Sequence, residues 1–392
     1  MERREGNNQL YLIGIETEEG QFIAVKNMYH RKKYWVILLL VLFGIILYEQ
    51  ICLGSQLEYS GLQWYLSDDE TNPVNIHVKD MWKDYNEIKL RRKVIIAVID
   101  GGIEIDHPAI SSSIWLNENE IPNNGIDDDA NGYVDDVHGW NFIHNNGDVQ
   151  CYDEDKYELQ HGTRIAGIIC ADSKKAEVTG VAADAWIKIM PVSIIKNDAK
   201  GLLPAGNTDD LIRAIKYAER MGADICNISL NTDSSSELLE KTIKESSMLF
   251  VVSAGNRQGR KRNIEKYPAY PASYQSDNLI AVANIKRNGR LAANSNYGKQ
   301  SIDIAAPGVD IYGLDVEEGY SYGSGTSFST PVVSGVAALL YASDEQMDAL
   351  TCKSLILESA EKFLELKDEI HNGNVLNCQK ILQRSRKIEN EK

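Results

Sequence analysis

Basic residues are fewer than acidic ones in this chain, and cysteines are few for its length. Its 392 residues carry 41 lysines and arginines against 57 aspartates and glutamates, which gives a formal net charge of −16. This balance argues against nucleic acid as a partner, because phosphate binding needs a basic face. Six cysteines in a chain of this length do not form a disulfide framework. The sequence also lacks internal repeats, and its length suits one large domain with a sizeable core.

Four of the six cysteines form two groups. Cys170 and Cys226 lie within apolar segments, where cysteine usually serves as a small buried hydrophobe. Cys352 and Cys378 lie in a C-terminal helical region, and the sequence leaves open whether they pair.

One unbroken apolar run occupies residues 35–48. It is short for a membrane span, which needs about 20 residues, but aromatic ends and flanking residues extend it. Three basic residues, 31–33, precede it and acidic residues follow, so the positive-inside rule puts the N-terminus in the cytoplasm. We therefore expect a short cytoplasmic region at 1–33, a signal-anchor at 34–54 in the cell membrane, and an extracellular remainder. The alternative is a signal peptide cleaved before Ser55, which would release a secreted chain.

Three segments supply an acid, a base and a nucleophile in chain order. Asp100 ends an apolar run at 93–99 that is typical of a buried parallel strand. His161 opens a run of small and apolar residues, 161–170, that suits a tightly packed helix. Ser327 precedes Pro331, and proline is tolerated in the first turn of a helix. A serine hydroxyl becomes a good nucleophile when an imidazole takes its proton, and a carboxylate must hold that imidazole. The pattern predicts serine hydrolysis.

Two further strands end in polar side chains. An apolar strand at 249–253 leads to Asn256, whose amide can donate to an oxyanion. A helix beginning near Ser327 would add backbone N–H groups and its dipole. The strand at 225–228 leads to a polar end that suits pairing with an extended peptide.

The segments Val-Ile-Asp-Gly-Gly-Ile at 98–103, His-Gly-Thr-Arg-Ile-Ala-Gly at 161–167 and Gly-Thr-Ser-Phe-Ser-Thr-Pro at 325–331 resemble the motifs of the subtilase family, the subtilisin-like serine proteases. The resemblance covers residues 62–382. It implies a doubly wound α/β fold, with a mostly parallel central sheet and helices on both faces. The peptidase domain would span 55–385, with a charged tail at 386–392.

The resemblance also implies residue roles in a serine endopeptidase. Ser327 would be the nucleophile, His161 the general base and Asp100 the acid that orients it. Asn256 would donate to the oxyanion. Two segments would form the walls of the primary specificity pocket: Ser229, Leu230 and Asn231, and Ser253, Ala254 and Gly255.

Three positions depart from the family pattern. Gly101 stands where serine or threonine is usual, which removes one side-chain hydrogen bond to Asp100. Arg164 stands where histidine is common, and we expect little effect. Asn231 stands where glycine is usual, so its side chain should narrow the pocket or give it a polar contact.

Carboxylates crowd residues 123–136, within an insertion between Asp100 and His161. Side chains that carry oxygen occupy every second position in part of this segment, and a glycine follows them. This pattern matches the start of a calcium loop. Crowded carboxylates repel one another unless a cation neutralises them. His138 stands where a closing glutamate is usual, so we do not expect a helix-loop-helix hand; a solvated acidic turn is the alternative. The expected calcium ligands are Asp127, Asp129, Asn131, the carbonyl of Tyr133, and Asp135.

Two local elements are also expected. Residues 9–16 and 21–26 flank a turn and predict a β-hairpin. Residues 208–222 predict an amphipathic helix with Thr208 as its N-cap and Gly222 at its stop.

Only residues 55–62 separate the apolar segment from the start of the region that resembles the peptidase. We therefore expect no conventional pro-domain and a catalytic domain close to the bilayer. The substrates would be exported or membrane-proximal peptides, and leader-peptide or signal-peptide maturation is one such use. The alternatives are general cell-surface degradation and a catalytically silent peptide-binding protein. The sequence does not reveal the oligomeric state, and a monomer is assumed.

Overall fold

The computed structural model describes residues 14–16, 22–24, 61–67, 72–87, 92–150, 156–183, 186–195, 207–257 and 260–391. The chain divides into two units, Met1–Glu58 and Tyr59–Lys392. In the first unit, β1 (Gly14–Glu16) and β2 (Phe22–Ala24) pair antiparallel with Ile15 opposite Ile23. These two strands lie within the hairpin predicted from the sequence.

A nine-stranded sheet forms the centre of the second unit. Its spatial order is β12-β13-β9-β8-β7-β6-β3-β5-β4, and every neighbouring pair is parallel except β12 with β13. The strands are β3 (Val94–Asp100), β4 (Trp140–Asn141), β5 (Ile187–Ser193), β6 (Ile225–Ile228), β7 (Leu249–Ser253), β8 (Leu279–Ile285), β9 (Ile304–Pro307), β12 (Glu361–Lys362) and β13 (Asn374–Val375). A separate antiparallel hairpin pairs β10 (Ile311–Leu314) with β11 (Tyr320–Gly323).

Seven helices accompany these strands in the described residues. They are α1 (Val78–Glu87), α2 (Lys156–Cys170), α3 (Thr208–Arg220), α4 (Glu237–Glu245), α5 (Thr326–Ser343), α6 (Ala349–Glu358) and α7 (Cys378–Glu391). Short 3-10 helices lie at Ser111–Ser113, Leu364–Leu366 and His371–Gly373.

Both faces of the sheet are covered. All residues of β6, β7, β8 and β9 are buried, so consecutive side chains, which point to opposite faces, are all shielded from water. The helix α5 is buried from its first residue to the last turn, and it packs on these strands and on α2. The expected α/β fold with a mostly parallel central sheet is therefore confirmed.

The sheet topology concentrates polar residues at one edge. The strand β3 lies where the order changes direction, with β5 on one side and β6 on the other. Ligands and chemistry in open α/β sheets gather beyond the carboxyl ends of strands at such a point. Asp100 ends β3, and Ser253 ends β7 at the same edge.

Three details of the predicted helices need correction. The N-cap of α3 is Asn207, not Thr208, because the Asn207 side chain accepts a hydrogen bond from the Asp210 N–H at 2.7 Å. Both residue types cap helices, and backbone geometry decides between them. The helix α2 begins at Lys156, so His161 lies in its second turn rather than at its start. Pro331 is inside α5, beyond the first turn.

The four described cysteines, Cys170, Cys226, Cys352 and Cys378, are unpaired and buried. Cys170 and Cys226 fill the core as expected, and burial raises the pKa of the Cys170 thiol to about 12. The described ranges contain no helix long and apolar enough to cross a membrane. The predicted signal-anchor at 34–54 lies outside those ranges, so it stays a prediction.

Candidate active site

Asp100 and His161 form a tightly bonded pair. The His161 Nδ1 atom lies 2.9 Å from Asp100 Oδ1 and 3.0 Å from Oδ2. Asp100 is 1% exposed, and its carboxylate also accepts a hydrogen bond from the Gly101 N–H at 2.9 Å. An ionised carboxylate only accepts hydrogen bonds, so this contact puts the imidazole proton on Nδ1 and leaves Nε2 as the basic atom. The side chain of His161 is 16% exposed, within reach of solvent and ligand.

The glycine after His161 permits this pairing. A Cβ atom on Gly162 would lie 1.9 Å from the Gly102 carbonyl oxygen, so a larger residue would push α2 away from the loop that follows β3. Thr163 adds a second tie, because its buried hydroxyl accepts from the Glu104 N–H at 2.9 Å. The order His-Gly-Thr therefore fixes the helix against the strand end that carries the carboxylate.

Ser327 lies in the first turn of α5 and is 8% exposed. Pro331 has no N–H to bond to the Ser327 carbonyl four residues earlier. The hydroxyl of Ser229 donates to that carbonyl oxygen instead, at 3.2 Å. A residue assigned by resemblance to the substrate pocket thus also supports the start of the helix that carries Ser327.

The Asn256 side chain is fixed beside Ser327. Its Oδ1 atom accepts a hydrogen bond from the Thr326 N–H at 2.9 Å. A Cβ atom placed on Gly325 would lie 3.2 Å from Asn256 Nδ2 and 3.3 Å from Ser327 Oγ, so both atoms border the same small space. An amide N–H group at the start of a helix, next to a serine hydroxyl, suits an oxyanion.

Asn231 bridges the two segments expected to form the pocket walls. Its Nδ2 atom donates to the Ser253 carbonyl oxygen at 2.7 Å, and its Oδ1 atom accepts from the Ser253 hydroxyl at 3.0 Å. A Cβ atom on Gly255 would lie 2.7 Å from Asn231 Oδ1. The amide therefore spans the gap between the walls. Leu230 is partly buried against the core, and Ala254 is fully buried.

Sequence reasoning gave no role to a buried polar chain beneath Ser327. The Ser334 hydroxyl on α5 donates to Asn227 Oδ1 at 2.8 Å, and Asn227 Nδ2 donates to the Ser229 hydroxyl at 3.2 Å. Asn227 is fully buried within the apolar strand β6. One polar residue in such a strand was the available signal, since buried polar groups need partners.

The acidic insertion brings three carboxylates together. One oxygen from each of Glu120, Asp127 and Asp129 lies within 4.8 Å of the others. The group also receives backbone hydrogen bonds, for example from the Gly132 N–H to Asp127 at 2.8 Å. Oxygen ligands of this kind fit a calcium ion. Glu120 was missed because it precedes the loop that the calcium pattern covers.

The other expected ligands make different contacts. Both carboxylate oxygens of Asp135 accept backbone hydrogen bonds, from Asn124 at 3.1 Å and Gly125 at 3.0 Å, so Asp135 closes a turn outside the carboxylate group. Asn131 accepts from the Tyr133 N–H at 2.7 Å, which folds the loop back on itself. The Tyr133 ring packs edge-on against Trp140.

Asp136 ties the loop to the core. The Tyr217 hydroxyl of α3 donates to Asp136 Oδ2 at 2.7 Å, and Asn117 and Asn131 add hydrogen bonds. Burial raises the pKa of this carboxyl above its usual value, although these three hydrogen bonds oppose the shift.

Known proteins are similar to this chain in sequence. Subtilisin-like protease 1 of Plasmodium berghei is 30% identical over 343 residues, which cover 81% of this chain and 53% of that protein. The chain thus spans about half the length of that relative. Thermitase of Thermoactinomyces vulgaris is 28% identical over 302 residues, covering 76% of this chain and 90% of thermitase. These names agree with the predicted enzyme class, a serine endopeptidase.

A solved structure supports the fold. The crystal structure of a cold adapted subtilisin-like serine proteinase superposes with a TM-score of 0.55 at 22% identity, over 73% of this chain and 88% of that one. A family profile described as "Subtilase family" matches residues 91–379, which include Asp100, His161, Asn256 and Ser327. The chain belongs to the subtilase family.

Proposed function

We propose that this protein is a serine endopeptidase that hydrolyses peptide bonds through Asp100, His161 and Ser327. The observation that carries the proposal is the hydrogen-bonded pair of Asp100 and His161, with Nδ1 to Oδ1 at 2.9 Å, beside the helix that carries Ser327 in its first turn. His161 Nε2 takes the hydroxyl proton of Ser327 as the oxygen attacks the scissile carbonyl carbon. Asp100 holds the imidazole in the required tautomer and stabilises its positive charge.

The attack produces a tetrahedral intermediate whose oxygen carries negative charge. Asn256 Nδ2 and a further backbone N–H group in the first turn of α5 would bind that oxygen. His161 then donates its proton to the leaving amine, and the peptide bond breaks to give an acyl-enzyme. A water molecule, activated by the same imidazole, hydrolyses the acyl-enzyme and restores Ser327.

The substrate proposal is a limited set of exported or membrane-proximal peptides, with leader-peptide or signal-peptide maturation as one use. Support comes from the Asn231 amide, which bridges to Ser253 and leaves less room between the segments expected to form the pocket. General cell-surface degradation would need a pocket that admits many side chains. Peptide profiling separates these uses: a narrow set of cleaved sequences supports maturation, and a broad set contradicts it.

We also propose that Glu120, Asp127 and Asp129 hold a structural calcium ion. Support comes from the convergence of one oxygen from each carboxylate within 4.8 Å. Calcium would neutralise charges that otherwise repel, and it would have no role in the chemical step.

The location proposal is that residues 34–54 anchor the protein and that the peptidase faces out of the cell. Its support is the basic flank before the apolar run. Recovery in the membrane fraction, with an N-terminus before residue 34, is the expected result. An N-terminus at Ser55 would support the cleaved-signal alternative.

The test of the catalytic proposal is cleavage of a defined peptide mixture by the full-length chain and by Ser327→Ala. We expect internal peptide-bond cleavage that falls by about 10⁶-fold in the variant, because the nucleophile is lost. Folded wild-type protein that binds the peptides without cleaving them would contradict the proposal and favour a silent peptide-binding protein.

A further inference from the structure

A buried arginine lies one helical turn after His161 on α2. The side chain of Arg164 is 8% exposed. Its Nε atom donates to the Leu314 carbonyl oxygen at 3.1 Å, and Nη2 donates to Asp315 Oδ2 at 3.0 Å and also to the Ser321 hydroxyl. These partners belong to β10, to the turn after it and to β11. Arg164 therefore ties α2 to the hairpin that leads directly into the Ser327 segment.

The carboxylate of Asp315 is held by further hydrogen bonds. The Ser321 hydroxyl donates to Oδ2 at 2.5 Å, and Gln160 Nε2 on α2 donates to Oδ1 at 2.5 Å. Burial acts to raise the pKa of this carboxyl, but these hydrogen bonds and the Arg164 charge together hold it below the usual value. Asp315 therefore stays ionised and remains a partner for the guanidinium.

Phe328 lies between the guanidinium and the imidazole. The Arg164 Cζ atom lies over the Phe328 ring, 5.6 Å from its centroid, and the His161 ring meets the same ring edge-on at 5.7 Å. Gly323 closes another side, because a Cβ atom there would lie 2.4 Å from Phe328 Cζ and 3.0 Å from Arg164 Nη1. The side chain next to Ser327 is thus packed against a fixed cation, the imidazole and a strand backbone.

We propose that Arg164 is a positioning residue for the reaction: it clamps the helix that carries His161 to the strand that leads to Ser327, and it fixes Phe328 against the imidazole. The inference rests on the proposed endopeptidase function. It assigns a role to a residue that departs from the family pattern and that was expected to have little effect. A small misplacement of reacting groups lowers the rate strongly, which gives the clamp a measurable effect.

A second arginine offers a matched control. Arg92 pairs with Asp224 at 3.2 Å, donates to the Tyr341 carbonyl oxygen at 3.1 Å, and lies 4.8 Å from the centroid of the Tyr341 ring. It therefore combines a carboxylate, a backbone carbonyl and an aromatic ring, as Arg164 does. Arg92 precedes β3, at the end of the strand opposite Asp100. Loss of either cluster should weaken the fold, but only one of the two lies near the catalytic groups.

The experiment compares the double variants Arg164→Met/Asp315→Asn and Arg92→Met/Asp224→Asn in the full-length chain. Each removes both charges, because a single change would leave a partly or fully buried charge without its partner. A fluorophosphonate titrates the active sites, and kcat and KM are then expressed per titrated site. We expect kcat per site to fall about 10- to 100-fold in the Arg164 variant with KM unchanged. The Arg92 variant should lower Tm and leave kcat per site unchanged.

If the double variant folds poorly, a more conservative change still tests the inference. Arg164→Lys keeps the charge but loses the planar fork and the ring contact, so we expect an intermediate fall in kcat per site. A folded Arg164 variant whose kcat per titrated site equals that of the wild type would overturn the inference. The contacts of Arg164 would then have a structural role only. Absence of both labelling and turnover in the folded wild type would instead overturn the proposed function, and this inference with it.

Discussion

The proposed catalytic centre and the acidic insertion both depend on carboxylates, but these carboxylates are stabilised in different ways. Asp100 is a single carboxylate at a strand end, 1% exposed, with one imidazole and one backbone N–H as partners. The insertion gathers several carboxylates on turns, and their hydrogen bonds come mainly from backbone and amide N–H groups of the same loop. Rigid elements hold the first site; the second depends on its own turns and, in our proposal, on a cation.

This difference has a physical consequence. The Asp100 site needs no added ligand, because packing of β3 against α2 sets its geometry. The converging oxygens of Glu120, Asp127 and Asp129 repel one another, so a bound ion should contribute to the stability of the folded chain. Changes at the two sites should therefore be separable: one set alters the rate and the other alters stability.

Of the three changes that separate the two regions, the one at the proposed catalytic centre should have the largest effect. Asn256→Leu removes the Nδ2 donor next to Ser327, and loss of one such donor lowers kcat by about 10²- to 10³-fold. The donor acts in the transition state, so kcat and kcat/KM should fall together in steady-state peptide hydrolysis. The calcium-dependent shift in Tm should be the same as in the wild type. A rise in KM at constant kcat would show that Asn256 binds substrate rather than the oxyanion.

The next effect belongs to the insertion. Calcium at about 100 times its Kd would stabilise the folded state by about 2.7 kcal/mol, so it should raise Tm. Asp129→Asn removes the negative charge of one of the three converging carboxylates. We expect the calcium-dependent rise in Tm to be lost. Differential scanning calorimetry with calcium and with chelator measures it.

Asp128→Asn is the matched control for that change. Asp128 is exposed, and its Oδ2 atom accepts hydrogen bonds from the Ile121 N–H at 3.1 Å and from Asn124 Nδ2 at 2.8 Å. It lies outside the converging group but undergoes the same change of charge. We expect it to keep the calcium response. A wild-type protein whose Tm does not respond to calcium would contradict the metal proposal.

The smallest effect concerns selectivity. Asn231→Gly removes the amide that bridges to Ser253, so the pocket should accept larger apolar side chains. We expect kcat/KM for a large residue, relative to a small one, to rise about tenfold, which is typical of small changes in an apolar pocket. A paired set of peptides that differ at one position measures the ratio. An unchanged ratio would mean that Asn231 does not border the pocket.

The two regions also differ in how far the sequence predicted them. The proposed catalytic residues lie in short segments next to apolar runs, so the strand, the helix and a proposed chemistry could be read together. The fold follows from the same alternation of strands and helices. The sequence did not place Glu120 with Asp127 and Asp129. Turns of the chain bring the three carboxylates together, and the spacing of the residues does not reveal those turns.

Two details that the sequence did not provide have different causes, one local and one distant in the chain. Asn207 and Thr208 are both good N-caps, and only the extended backbone of Asn207 distinguishes them. Arg164 was expected to have little effect, because sequence gave no sign that residues 314–321 pack against α2. The contacts of its guanidinium depend on the β10–β11 hairpin, which lies far from α2 in the chain.

The most direct test of the account is chemical labelling of the proposed nucleophile. The full-length chain is treated with a fluorophosphonate, and the adduct is mapped by mass spectrometry in the wild type and in His161→Gln. The account predicts one adduct, on Ser327, that is lost in the variant because the hydroxyl no longer has its base. Folded wild-type protein without an adduct on Ser327, or equal labelling of both proteins, would contradict it.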